Sequence, residues 1–274
     1  MLRNIQDLEG YAIRATDGDV GLAKDFYFDD QAWVIRYLVV ETGDWLASRK
    51  VLISPIAIGR PDDVAEALPV QITRQQVESS PDIDTHTPVS RQQEMYLLTH
   101  YGHSPWWESL AVWGAGTHPD SVMPEFSSTP MVIEPQPDEP PPIAELLPQQ
   151  YEDPHLRALN DLVGYHIHAS DGDIGHVSGM LVDEESWAVR YLVIDAGPWW
   201  HGHQVLMAPQ WIEGVSWSDR TVSVTLPRQA VQDAPLYDPT VTLDRDAEEA
   251  IWSHYGRTGY WSEEPDRVRI ATLR

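Results

Sequence analysis

Tyr11, Ile13 and Ala15 alternate with their neighbours in the period-two pattern of a half-buried strand. Thr16-Asp17-Gly18-Asp19 then supplies turn chemistry, since Gly and Asp tolerate the positive φ that tight hairpins demand, and a second apolar run follows through Phe26 and Phe28. Asp29-Asp-Gln-Ala32 predicts the next turn. The run from Trp33 to Glu41, dense in β-branched and aromatic residues, predicts a third strand. Val51-Leu-Ile53 before Pro55 reads as a fourth strand, and alternating Leu68, Val70 and Ile72 as a fifth. Five or six short strands with tight turns in so little chain suggest a small barrel, where closure removes exposed edges.

Helical patterning follows. Thr73-Arg-Gln-Gln76 is a capping-box pattern that opens a short helix towards Val77. Ser90-Arg-Gln-Gln93 opens a second, with apolar Leu97, Leu98 and Tyr101, which ends at Gly102. The whole pattern then recurs 154 residues later without a gap. Gly10 to Gly21 lies over Gly164 to Gly175, with Asp17-Gly18 over Asp171-Gly172, and Trp33 to Val40 lies over Trp187 to Ile194. Over residues 10–59, 20 of the 50 aligned positions are identical. The register continues through Pro81/Pro235 and His100-Tyr-Gly102/His254-Tyr-Gly256 to Trp107/Trp261. In the second copy Pro227 suits the first turn of the short helix, and Asp244 caps the one carrying Ile251, Trp252 and Tyr255.

The expected organisation is therefore a first module over 1–107 and a second over 157–274. Between them, 108–156 is an acidic, proline-rich linker: nine prolines fall between His118 and Pro148, and no Lys or Arg occurs from Gln92 to Leu156. Each module's amphipathic helix needs a partner surface, which predicts intramolecular pairing of the modules about a pseudo-two-fold axis and leaves a homo-oligomer open.

Composition narrows the function. With 18 Lys+Arg against 43 Asp+Glu, the net charge is −25, which repels phosphate backbones and anionic membranes, so no nucleic-acid partner is expected. With no Cys, thiolate chemistry and disulfides are excluded. The first ten residues lack the apolar stretch of a signal peptide, and no run approaches the roughly 18 apolar residues of a membrane helix. A cytoplasmic protein without membrane insertion is the expectation.

Gly10, the Asp17-Gly-Asp-Val-Gly21 turn, the acidic turn at Asp29, the Arg36-Tyr-Leu-Val-Val40 strand and the Val51-Leu-Ile-Ser-Pro55 strand together resemble the PRC-barrel domain. The same elements recur at Gly164, Asp171–Gly175, Asp183, Arg190–Ile194 and Val205–Pro209. That domain occurs in the cytoplasmic part of the photosynthetic reaction centre H subunit and in the ribosome maturation factor RimM. The resemblance covers about 75 residues of each copy, and the trailing helix with His-Tyr-Gly and Trp resembles bacterial proteins that carry two such domains. It implies a mainly β fold of two small antiparallel barrels, each followed by a helix, used for docking a protein partner rather than for catalysis. A role in reaction-centre assembly is a further implication, but the H subunit's membrane helix is not found here, and a charge of −25 with a second copy of the module does not suggest RimM's separate barrel and ribosomal contacts, so neither specific role carries over.

Candidate chemistry competes with structural explanations at each position. Asp17-Gly-Asp19 and Asp171-Gly-Asp173 resemble the start of a calcium loop, but the flanks are strands and the twelfth position from Asp17 is Phe28, which favours hairpin turns. His166 and His168 share a strand face, with His176 nearby and His201-Gly-His203 in a loop. Two such pairs could make a zinc or nickel site. The first copy has Ala12, Arg14, Leu22, Ala47 and Arg49 at those positions, so such a site would belong to one module. His100 and His254 suit helix C-termini. Trp106-Trp107 and Trp199-Trp200 suit packing more than recognition. Arg36 and Arg190, in apolar strands, suit pairing with Asp29 and Asp183. Gly10, Gly18, Gly21, Gly164, Gly172 and Gly175 are read as structural. No serine elbow, phosphate loop or nucleophile–base pair is present. The chain reads as a non-catalytic scaffold with no cofactor.

Overall fold

Two twelve-residue strands organise the molecule. In the computed structural model, which describes residues 1–46, 48–81, 89, 91–103, 105, 113, 118–119, 156–196 and 204–262, the first half comprises β1 (Leu2–Asn4), β2 (Ala12–Ala15), β3 (Gly18–Asp29), β4 (Val34–Glu41), β5 (Lys50–Ile53), β6 (Ala67–Pro69), α1 (Arg74–Glu78) and α2 (Arg91–Tyr101). The second half runs through β7 (Leu156–Ala158), α3 (Leu159–Leu162), β8 (His166–Ala169), β9 (Gly172–Asp183), β10 (Val189–Asp195), β11 (Gln204–Met207), β12 (Ile212–Ser216), β13 (Thr221–Val224), α4 (Arg228–Gln232), β14 (Leu236–Tyr237) and α5 (Arg245–His254). The fold is mainly β with short helices, and among the described residues no helix is long and apolar enough to cross a membrane.

The expected closed antiparallel barrels need correction on two points. Both hydrogen-bonded paths are open: β5-β4-β3-β2-β6 in one sheet and β12-β13-β8-β9-β10-β11-β14 in the other. The β2–β6 and β8–β13 pairs are parallel. Neither β6 nor β13 arrives by a hairpin from β5 or β11, the strands that end the antiparallel runs. After β5 and β11 the chain passes through the 3-10 turns Pro55–Ala57 and Pro209–Trp211 and reverses again, which lays β6 and β13 beside β2 and β8 in the same direction. Each β2–β3 and β8–β9 hairpin carries a bulge, and beside it Gly21 and Gly175 lie against the backbone carbonyls of Glu41 and Asp195, where a Cβ would have no room.

The halves trade strands. β1 of the first half pairs with β9 of the second (Leu2↔Asp183, Arg3↔Val182, Asn4↔Leu181), and β7 pairs with β3 (Leu156↔Asp29, Arg157↔Phe28, Ala158↔Tyr27). Shifting every residue by 154 turns one set into the other. A bridge joins Val34 to Ala188, themselves 154 apart, and is flanked by Ile35 N–H to Trp187 O at 2.9 Å and Val189 N–H to Trp33 O at 2.7 Å. Trp33 and Trp187 hold φ of 53° and 57° to make these contacts. That conformation costs an L-residue about 1–2 kcal/mol, offset here by burial of the rings and two cross-half hydrogen bonds. A single apolar cluster runs through both halves, from Ile5, Leu8 and Phe28 to Leu159, Leu162 and Trp187. By burial and by hydrogen bonding the halves are one folding unit.

Candidate functional site

The turn carboxylates and strand arginines meet. Asp29 closes its turn by accepting from Gln31 N (2.9 Å) and Ala32 N (2.8 Å), and Arg36 Nη2 lies 3.7 Å from its other oxygen. The buried Arg36 guanidinium also sits 4.8 Å from the ring of Trp113, whose Nε1 donates to Ser186 O at 2.7 Å. In the second half Asp183 accepts from Ser186 Oγ (2.8 Å), Glu185 N (3.1 Å) and Arg190 Nη2 (3.2 Å), with Arg190 packed 4.0 Å from the Tyr260 ring. Burial opposes ionisation of Asp183, but the Ser186, Glu185 and Arg190 donors together hold its pKa below the ordinary value. These are ion pairs with aromatic lids, buried at Asp29–Arg36 and half-buried at Asp183–Arg190, arranged to fix the turns rather than to transfer protons.

Asp17 and Asp171 cap helices across the sheet: Asp17 Oδ1 accepts from Arg74 N and Asp171 Oδ1 from Arg228 N, both at 2.7 Å. The hairpin glycines beside them, Gly18 and Gly172, have φ of +141° and +134°, and Gly10 and Gly164 have +83° and +86°. His100 and His254 hold the carbonyls of Gln76 and Ala230 at 2.7 Å, tying α2 to α1 and α5 to α4.

The second-half histidines are partly brought together. His166 and His168 are exposed on β8, while Ile167 and Ala169 face the core. His176 on β9 is the direct cross-strand partner of His166 and, on its other side, of Asp195. His168 Nδ1 lies 2.8 Å from Asp173 Oδ1, a contact that lowers the Asp173 pKa. Among the described residues no three His, Asp or Glu side chains are gathered closely enough to hold a metal ion. His201 and His203 lie outside the described residues, as do Trp106, Trp107, Trp199 and Trp200.

Two constellations were not foreseen. Glu94 and Glu248, buried in α2 and α5, accept from Tyr37 (2.8 Å) and Tyr191 (2.9 Å). Tyr260 also donates to Glu248 at 3.0 Å, and Trp252 Nε1 to Tyr191 Oη at 2.7 Å. Burial foremost, together with the Glu248 charge, raises the Tyr191 pKa and pushes that of Tyr260 up to about 12, so both phenols remain donors. The second constellation is the seam. Arg3 joins Glu184 of the other half (2.5 Å) to Asp63 (2.8 Å). Arg157 lies 3.6 Å from Asp30 and 4.6 Å from the Trp217 ring, whose Nε1 donates to Asp30 at 3.1 Å.

A surface recess of about 370 Å³ is lined by Gln210, Trp252, Gly256, Arg257, Thr258 and Tyr260. The polar atoms of Trp252 and Tyr260 are turned to the buried network, and Arg257 Nη2 donates to Thr225 Oγ1 at 3.3 Å.

No curated protein matches this chain. Among family models the PRC-barrel domain matches residues 2–74, the segment from β1 to the start of α1, so the chain carries a PRC-barrel domain there.

Proposed function

We propose that the chain is a non-catalytic docking scaffold of the bacterial cytoplasm, made of two PRC-barrel modules (1–107 and 157–274, with 108–156 between them) paired about a pseudo-two-fold axis and presenting acidic loops to a protein partner. One observation carries this reading. The matched segment is not self-contained: its first strand completes the other half's sheet, and Leu156–Ala158, 154 residues further on, takes the vacated place. A segment that substitutes for β1 in the same register is what a second module would supply. The polar groups shared by the halves are spent on caps, turns and seam contacts, which suits a rigid platform, and a PRC-barrel domain is compatible with an interaction or assembly role. The test is affinity capture with reciprocal purification and cross-linking, using wild type and a variant with the exposed loop carboxylates Glu66, Glu185, Asp219 and Asp238 neutralised. A partner held by wild type and released by the variant or by moderate salt supports docking through acidic loops. A partner retained equally by both removes the acidic-loop element.

A second reading, metal or small-ligand binding on the β8–β9 face, is favoured by the direct opposition of His166 and His176 beside His168. Elemental analysis of untagged protein, with thermal shift in zinc or nickel, tests it. The absence of stoichiometric metal together with the absence of a shift in Tm would end it.

A further inference from the structure

The seam is built twice, and its two versions solve one problem in opposite ways. At the first, Asn4 caps the 3-10 turn Ile5–Leu8 from within its own segment, accepting from Gln6 N at 3.3 Å. Facing it across the seam is Gly179 on β9. A Cβ there would come within 2.5 Å of Gln6 Oε1 and 3.2 Å of Asn4 Oδ1, so the glycine makes room for the cap. At the second version, α3 has Ala158 at its N-cap, which offers no side-chain acceptor. The acceptor comes from the opposite half: Asp25 on β3 takes the Asn160 N–H at 3.4 Å as well as its own neighbour Phe26 N–H at 2.7 Å. In the 154-residue register these positions correspond pairwise: Asn4 with Ala158, Gln6 with Asn160, Asp25 with Gly179.

Like halves would fail on both counts. Two first halves would set Asp25 against Asn4 and Gln6, where even a Cβ displaces the end of the Gln6 side chain and crowds the Asn4 cap. Two second halves would set Gly179 against Ala158, leaving the first turn of the helix without any side-chain cap. Only first with second satisfies both ends.

We infer that the seam is a self-discriminating interface that accepts the opposite half and rejects a like one. Its fitting partner is a complementary module, not a second copy of the same module. The inference rests on the pseudo-two-fold pairing proposed above, and the experiment separates the failure of each.

In the full chain, Gly179→Asp is expected to lower Tm by roughly 5–10 °C, the size of a seam clash in a protein of this length. Asn4→Ala with Gln6→Asn, which transplants the other seam's solution, is expected to lower Tm on its own because the cap is lost. In the Gly179→Asp background the same two substitutions are expected to raise Tm, because the introduced carboxylate then caps across the seam. This reversal of sign is the signature of discrimination. If the pair lowers Tm in both backgrounds, the discrimination is wrong. If Gly179→Asp leaves Tm unchanged, the rejection of a like half is wrong; if the cut halves in the measurement below do not associate at all, the paired arrangement itself is wrong.

A second measurement avoids substitution. A protease site is inserted between 120 and 150, the folded chain is cut, and the cut protein is unfolded in urea, refolded and weighed by native mass spectrometry. First-with-second complexes alone support the inference; like pairs in comparable amount overturn it.

Discussion

Glu94 has no exposed surface, and Tyr37 donates to one of its carboxylate oxygens from β4. The cost of removing such a group depends on what is left behind. Glu94→Gln keeps an acceptor for Tyr37 and is expected to cost about 1 kcal/mol, whereas Glu94→Leu strands the phenol and should cost about 2–3 kcal/mol by urea denaturation. Two other buried groups set the pH profile in opposite senses. Burial, with the nearby Glu9 and Asp161 charges, pushes Asp25 up to about 6 despite two N–H donors. Between pH 3.8 and 6 the folded chain holds a proton that the unfolded chain releases, so this contribution is complete in acid and declines as pH rises through 6. Burial lowers His103 to about 4, so its contribution is complete above 6.5 and is lost as pH falls towards 4. Asp25→Asn is therefore expected to leave the His103 contribution unopposed, so that stability rises more steeply from pH 4 to 6 than in the wild type, measured as unfolding free energy against pH. The chemistry of Glu94 was legible in part: with Leu97, Leu98 and Tyr101 it stands at i, i+3, i+4 and i+7, an acid on the apolar stripe, and Glu248 repeats the pattern. Its partner was not legible, because Tyr37 lies 57 positions away.

At the scale of elements, the short helices show how local chemistry substitutes for length. α1 has five residues and is held by a reciprocal capping box between Thr73 and Gln76, to which Asp17 adds an acceptor for Arg74 N. α4, its counterpart, begins at Pro227 with no side-chain cap and depends on Asp171. Asp171→Ala is therefore expected to cost about 1 kcal/mol, and Asp17→Ala distinctly less, by chemical denaturation. The capping box, the turns and the strands from β2 to β5 could be read from sequence because each is encoded within a few neighbouring residues. The parallel β2–β6 join was not legible, because it brings together Ala12 and Ala67 from distant parts of the chain. β1 and β7 were not anticipated, since three residues carry no periodicity and their partners lie in the other half.

For the whole molecule, the exchanged strands make stability collective. Deleting Met1–Asn4 removes the partner of Leu181–Asp183, so amide exchange should accelerate at β9 in the second half as much as near the deletion, which hydrogen–deuterium exchange would resolve. Thermal unfolding of the intact chain should show one transition, because one apolar cluster spans both halves.

The pairing of Leu2 with Asp183 also sets a schedule for synthesis. At about 5–20 residues per second, the segment carrying Leu2 leaves the ribosome on the order of 10–35 s before its partner exists. For most of that interval the place beside β3 is empty as well, because Leu156–Ala158 has not been made. The nascent first half thus waits with one unpaired strand and one unfilled slot that nearly match each other. An aspartate in that slot, where the opposite seam has glycine, keeps the waiting strand from settling into the wrong place, on its own half or on that of a neighbouring nascent chain.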